Sequence, residues 1–183
     1  MKAFFLCVFL SSNIGALFAQ TDAITKTFLR QVIEKKNVMY RDHVSDYALA
    51  DLTKAVSQLD KPSTFDKKRL TLTEAEYGYL KAELAKMKTY KWADDVFEKN
   101  NLLSKDTIES IFNTRDKGWP YFNNKFGDEF YSFTKPIFLR NNTICIVYTS
   151  RSCGELCGHG GAYIYIKING RWGLETTLLS WVS

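Results

Sequence analysis

The residues best suited to chemistry sit in one run, Cys153-Gly154-Glu155-Leu156-Cys157-Gly158-His159-Gly160-Gly161. It holds two cysteines four positions apart, one of the chain's 2 histidines and four of its 10 glycines. Cys153, Cys157 and His159 are zinc-competent, and zinc takes thiolate and imidazole at about 2.0–2.3 Å, usually four ligands in all. The fourth would have to be Cys145, His43, Glu155 or water, and only one cysteine knuckle is present. A cysteine hydrolase needs its nucleophile held at a helix start, with a histidine brought alongside by the fold. Here Cys157 and His159 are two residues apart, no helix start precedes them, and Cys145 reads as a strand residue. Thiol exchange favours a two-residue spacer at a helix start, whereas this spacer has three residues and lies between strands. A disulfide between Cys153 and Cys157, with Cys145 free, is the reading adopted. Cysteines four apart meet only at a sharp turn, because extended chain would hold their Cα atoms beyond about 7 Å. Gly154 and Gly158 make that turn accessible.

Other chemistry is thinner. His43 follows Asp42, with Asp46 nearby, so a carboxylate-oriented general base stands against an exposed histidine in a short connection. Glu155 is the only acid in the glycine-rich run, so no acid/base pair is formed by sequence. G-x-S-x-G and H-E-x-x-H are absent, and no strand-loop-helix unit surrounds the glycines as a phosphate loop requires. The expectation is therefore no catalytic residue, no cofactor and no metal, the alternative metal set being Cys153, Cys157 and His159. Glu155, His159 and Gly160 form the candidate functional loop.

These groups must be positioned by flanking elements. Ile24, Phe28 and Val32, then Leu49, Leu52, Val56 and Leu59, predict two helices within 22–60. Asn37 ends the first, Tyr40-Arg41-Asp42-His43 forms a polar connection, and Lys61-Pro62-Ser63-Thr64 breaks the pattern. Thr73 with Glu76 makes a capping box, and Leu72 with Tyr77 a hydrophobic staple. Thr71 with Glu74 is a rival box. Tyr77, Leu80, Leu84 and Met87 make the apolar stripe. Ser104 starts another helix, with Leu103 and Ile108 at staple spacing, Ile108, Ile111 and Phe112 facing inward, and Gly118 as its stop. An aromatic stretch at 119–133 follows. It is a wedge between helices and sheet, rather than a platform for sugar or peptide rings, because aromatics dominate core burial.

Beyond residue 131 the period falls to two. Strands are expected at 131–140, 143–150, 162–167 and 171–179, with tight turns at Asn141-Asn142 and Asn169-Gly170. For the last hairpin, a three-residue loop Ile168-Asn169-Gly170 pairs Ile166 with Trp172 and Ile164 with Leu174, making one face wholly apolar. The sum is an α+β domain, its N-terminal helices (about 22–117) packed on a C-terminal antiparallel meander of about four strands (about 130–182).

Residues 1–19 carry Lys2, an apolar run from Ala3 to Leu10 and a small residue at Ala19, which predicts a cleaved signal peptide. The expected product is one soluble domain, 20–183, in the periplasm or outside the cell. There disulfides are permitted, and three cysteines remain. Cys7 follows Phe5-Leu6 and does not read as a lipid-attachment site. The 25 basic and 20 acidic side chains give +5, lowered by one when Lys2 is lost. The charges are mixed along the chain rather than clustered, unlike a nucleic-acid binder. Lys67-Lys68-Arg69, the densest group, reads as a solvated turn.

Phe133-Thr134-Lys135-Pro136-Ile137-Phe138, the run from Cys153 to Gly160, and Gly170-Arg171-Trp172 together resemble a family of small exported bacterial proteins. Those proteins carry a C-G-x-x-C-G-x-G turn between strands and a G-x-W after a hairpin. The likeness spans about 130–175. It implies an address and a loop rather than a reaction, and a position at His159 that tolerates other residues. The expected role is a non-catalytic binding or envelope-associated accessory module for a small molecule, glycan or envelope protein. The alternative is an envelope hydrolase or metal-dependent enzyme using Cys153, Cys157 and His159.

Overall fold

The computed structural model describes residues 22–35, 37–59, 70–97 and 101–183. The expected leader at 1–19, the break at 61–64 and the basic group at 67–69 lie outside the described residues.

The apolar stripes fold as helices. Helix α1, residues 22–33, buries Phe28 and Leu29 completely. Helix α2, Asp46–Val56, turns Ala48, Leu52, Ala55 and Val56 inward. Helix α3, Glu74–Lys86, begins at Thr73, whose hydroxyl accepts from the Glu76 N–H while Glu76 accepts from the Thr73 N–H. That reciprocal cap decides against the Thr71/Glu74 box. A 3-10 turn, Met87–Thr89, continues it. Helix α4, Lys105–Phe112, is capped by Ser104. Gly118 does not stop a helix as expected. It opens helix α5, Gly118–Lys125, where Pro120 in the first turn lacks only an N–H that would be unbonded there.

The strands are β1 (Tyr40–Arg41), β2 (Leu102–Leu103), β3 (Phe130–Phe133), β4 (Ile137–Leu139), β5 (Ile144–Gly154), β6 (Cys157–Ile168) and β7 (Arg171–Val182). They form one 7-stranded sheet in the order β2-β1-β3-β5-β6-β7, with β4 also paired to β5. The domain is α+β, but the sheet is mixed rather than a four-strand meander, because β1 pairs in parallel with both β2 and β3. The single strand expected at 131–140 is two strands. Between them Thr134 meets Tyr148 twice, its N–H donating to the Tyr148 carbonyl and its hydroxyl accepting from the Tyr148 N–H, each at 3.0 Å.

Strand β5 is buried on both faces. Ile144, Ile146 and Tyr148 pack against α2 and α3, while Cys145 and Val147 pack against Phe28, Trp92 and Trp172. Helices α4 and α5 close a third cluster around Phe122 and Phe130. This two-sided burial overturns the expected three-residue hairpin loop. Asn169 and Gly170 form a two-residue turn, both at positive φ (50° and 81°), the geometry such hairpins favour. Lys167 pairs with Trp172, Ile166 with Gly173 and Tyr165 with Leu174. A single apolar face was the wrong criterion, because Ile164 is buried on one side and Trp172 on the other. The Lys167 ammonium lies 5.5 Å over the Trp172 ring, and Leu174 is left 56 % exposed. Among the described residues no helix is long and apolar enough to cross a membrane.

Candidate functional site

The chemistry-rich run is the end of a hairpin rather than an open loop. Strands β5 and β6 extend to Gly154 and Cys157, which pair across a two-residue tip, Glu155-Leu156. Cys153 and Cys157 are joined, their Cα atoms 5.0 Å apart. Among the described residues Cys145 is the free cysteine; it is fully buried, and burial pushes its thiol well up. The thiols named for the alternative zinc set are thus held in a disulfide. Among the described residues no three of His, Cys, Asp and Glu gather into a metal-binding group.

The three residues of the candidate loop are not brought together. Glu155 is exposed at the tip, His159 is exposed on a strand, and Gly160 is buried on the opposite face of that strand. His159 pairs across the sheet with Arg151 and Val182. Arg151 and Lys35 both bond Glu129. Burial pushes the Glu129 carboxyl up, but those two bonds outweigh it and leave it below its ordinary value.

The glycines have a packing role. The Trp181 ring of β7 lies against Gly158 and Gly160, with its indole N–H donating to the Tyr148 hydroxyl at 2.7 Å. A Cβ at Gly160 would stand 2.5 Å from the Ser150 Cβ and 3.0 Å from the Trp181 ring. The run therefore makes room for a tryptophan, and that tryptophan walls a cavity.

This cavity, about 390 Å³, is lined by Trp181, Trp119, Phe112, Phe130, Ile108 and the hairpin residues Ser152, Gly154, Cys157 and Gly158. Arg41 and Glu109 line it, and they also line a second, more polar cavity of about 790 Å³. Strand alternation sends Tyr40 into the core and Arg41 to the opposite face, at the boundary between the two. The Arg41 guanidinium sits 5.2 Å over the Phe130 ring. Among the described residues its Nε is buried without a hydrogen-bond partner, and no carboxylate comes within ion-pair distance. Burial pushes the guanidinium down from its ordinary value, while Tyr47, Asp42 and Glu109 lie close enough to oppose that.

The polar cavity also contains His43, Ser45 and Ser104. Asp42 holds His43 through Nδ1 at 2.7 Å. The segment is fixed from both sides: Asp42 N–H donates to Leu103 O, and Trp92 N–H to Asp42 O, each at 2.8 Å. His43 is therefore half-buried and oriented, not free in a connection between helices. Ser104 is committed to capping α4. The Ser45 hydroxyl, on a residue 5 % exposed, has no hydrogen-bond partner among the described residues. Lysines 88, 91 and 105 and the carboxylates of Asp46, Asp106 and Glu109 complete the rim.

The sequence reading missed Arg41, Trp119 and Trp181 as site residues. Tyr40 and Arg41 belong not to a polar connection but to β1, with Tyr40 0 % exposed. Their burial follows from parallel pairing with strands some 60 and 90 residues away, which no local pattern records. The chain shows no match when compared with protein-family models, curated proteins and solved structures.

Proposed function

We propose that this chain is an exported, non-catalytic binding module of the bacterial envelope, in keeping with the small exported proteins its C-terminal half resembles. Its ligand, a small molecule, glycan or segment of an envelope protein, occupies the paired cavities that meet at Arg41. The observation that carries this reading is the Arg41 guanidinium. It is a largely buried group set between two cavities, and its Nε–H has no acceptor among the described residues. An unmet buried donor costs about 1–3 kcal/mol, and a ligand acceptor at that point removes the cost.

The joining of Cys153 to Cys157 weighs against the alternative enzyme, which needs those thiols free. Address and role are both open to direct test. Mature protein recovered from culture is expected to begin at Gln20; retention of Met1 would remove the exported part of the reading. A panel of oligosaccharides, short peptides and small organic acids, followed by amide and indole N–H shifts, is expected to perturb the residues lining the cavities. The bound compound is expected to be recovered unchanged. Turnover of a panel member, abolished by His43→Ala, would make the protein an enzyme built on the His43–Asp42 pair.

A further inference from the structure

The two cavities differ in kind, and Arg41 joins them. On the aromatic side Arg41 and Trp119 share one support. The guanidinium carbon is 5.2 Å from the Phe130 ring centre, and the Trp119 ring stacks on the same ring at 5.7 Å and 19°. Those distances, taken end to end, put the guanidinium within about 11 Å of the Trp119 ring. Trp181 stands in the same cavity, fixed by its bond to Tyr148.

The charge around the polar cavity selects the head group. Arg41, Lys88, Lys91 and Lys105 are balanced by Asp42, Asp46, Asp106 and Glu109. A dianion such as a phosphate monoester meets four carboxylates there. Lys105 already pairs with Glu109 at 3.8 Å, and among the described cations of this cavity Arg41 is the one with a buried donor that lacks an acceptor, which a single negative charge can meet. Planar guanidinium donors also match the two oxygens of a carboxylate in a bidentate pair.

We propose that the ligand is a monocarboxylate carrying an aromatic ring on a short spacer, its carboxylate on Arg41 and its ring against Trp119 and Trp181. This rests on the binding reading above and names the ligand class for that site. The carboxylate supplies the acceptor that the Arg41 Nε–H lacks. The ring fills a cavity whose walls are already aromatic, where offset or edge-on ring contacts add to simple burial.

The test uses 3-phenylpropionate, its amide and butyrate on the full chain. Binding is followed by calorimetry and by the four tryptophan indole N–H signals, with two of them assigned through Trp119→Phe and Trp181→Phe. The acid is expected to move the signals of Trp119 and Trp181 and to leave those of Trp92 and Trp172, which lie in or beside a different cluster. Losing a charge-assisted bond weakens binding by roughly 10- to 100-fold. That loss is expected for the amide on the native chain and for the acid on Arg41→Gln. Butyrate is expected to bind more weakly than the phenyl acid. The amide comparison uses native protein, so it decides the matter even if Arg41→Gln does not fold. Equal binding of acid and amide overturns the proposal, as does a response confined to Trp92 and Trp172. If the acid is silent but an oligosaccharide or peptide moves Trp119 and Trp181, the ligand class is wrong and the binding module stands. If no probe moves them, both readings fall.

Discussion

At the scale of single residues, Gly160 and Gly78 are the same residue type under opposite constraints. At Gly160 a side chain would press into Ser150 and Trp181, so Gly160→Ala is expected to cost about 1–3 kcal/mol, the range for overpacking a filled site. At Gly78, in exposed α3, a Cβ would meet nothing within 4 Å. There Gly78→Ala is expected to stabilise by about 0.5–1 kcal/mol, because alanine loses less backbone freedom in a helix. Urea unfolding of the two variants checks both signs; a neutral Gly160→Ala would show that Trp181 does not lie against the strand. The cysteines offer a simpler count. Denatured, unreduced mature protein is expected to show one reactive thiol, which peptide mapping should place at Cys145. Three thiols, with zinc bound in proportion, would restore the metal reading. Closing so short a loop stabilises by only about 2 kcal/mol in the chain-entropy treatment. The bond's main effect is to fix the hairpin end at the aromatic cavity.

At the scale of elements, what the sequence revealed was what neighbouring residues decide. The Thr73/Glu76 box set the start of α3, and the Leu80–Leu84 stripe set its buried face. The disulfide was legible because its partners are four residues apart. The hairpin register was not, since the argument from one apolar face fails where Ile164 and Trp172 are buried on opposite sides. Strands β1 and β2 escaped notice because two residues are too few to show alternation. The site suffered for the same reason: Arg41 belongs to β1, and its burial depends on long-range pairing. One consequence of α3 is testable by pH. Arg140 bonds Glu76 at 2.8 Å, and with the capping N–H of Thr73 it lowers the Glu76 carboxyl to about 2. A lowered carboxylate contributes stability that is present above its unfolded value, about 4.3, and is lost as pH falls toward 2. Glu76→Gln is therefore expected to flatten the fall in melting temperature between about pH 4.5 and 2. An unchanged acid profile would mean that the pair is not maintained in solution.

At the scale of the whole molecule, helices on both sides bury β5 and leave the far ends of β5, β6 and β7 to meet α4 and α5. The hairpin end, the C-terminal strand and β1 converge there, so residues 41, 119 and 181 line one cavity although they are distant in sequence. The glycine-rich run that dominates the sequence contributes walls, and the group with unmet chemistry comes from the shortest of strands. The most direct test follows the Arg41 Nε–H resonance in a ¹⁵N spectrum during titration with 3-phenylpropionate. The expected result is a saturable shift of that signal, with slowed exchange and the same midpoint as the Trp119 and Trp181 indole shifts. An Arg41 signal that stays fixed while the acid binds would contradict the account.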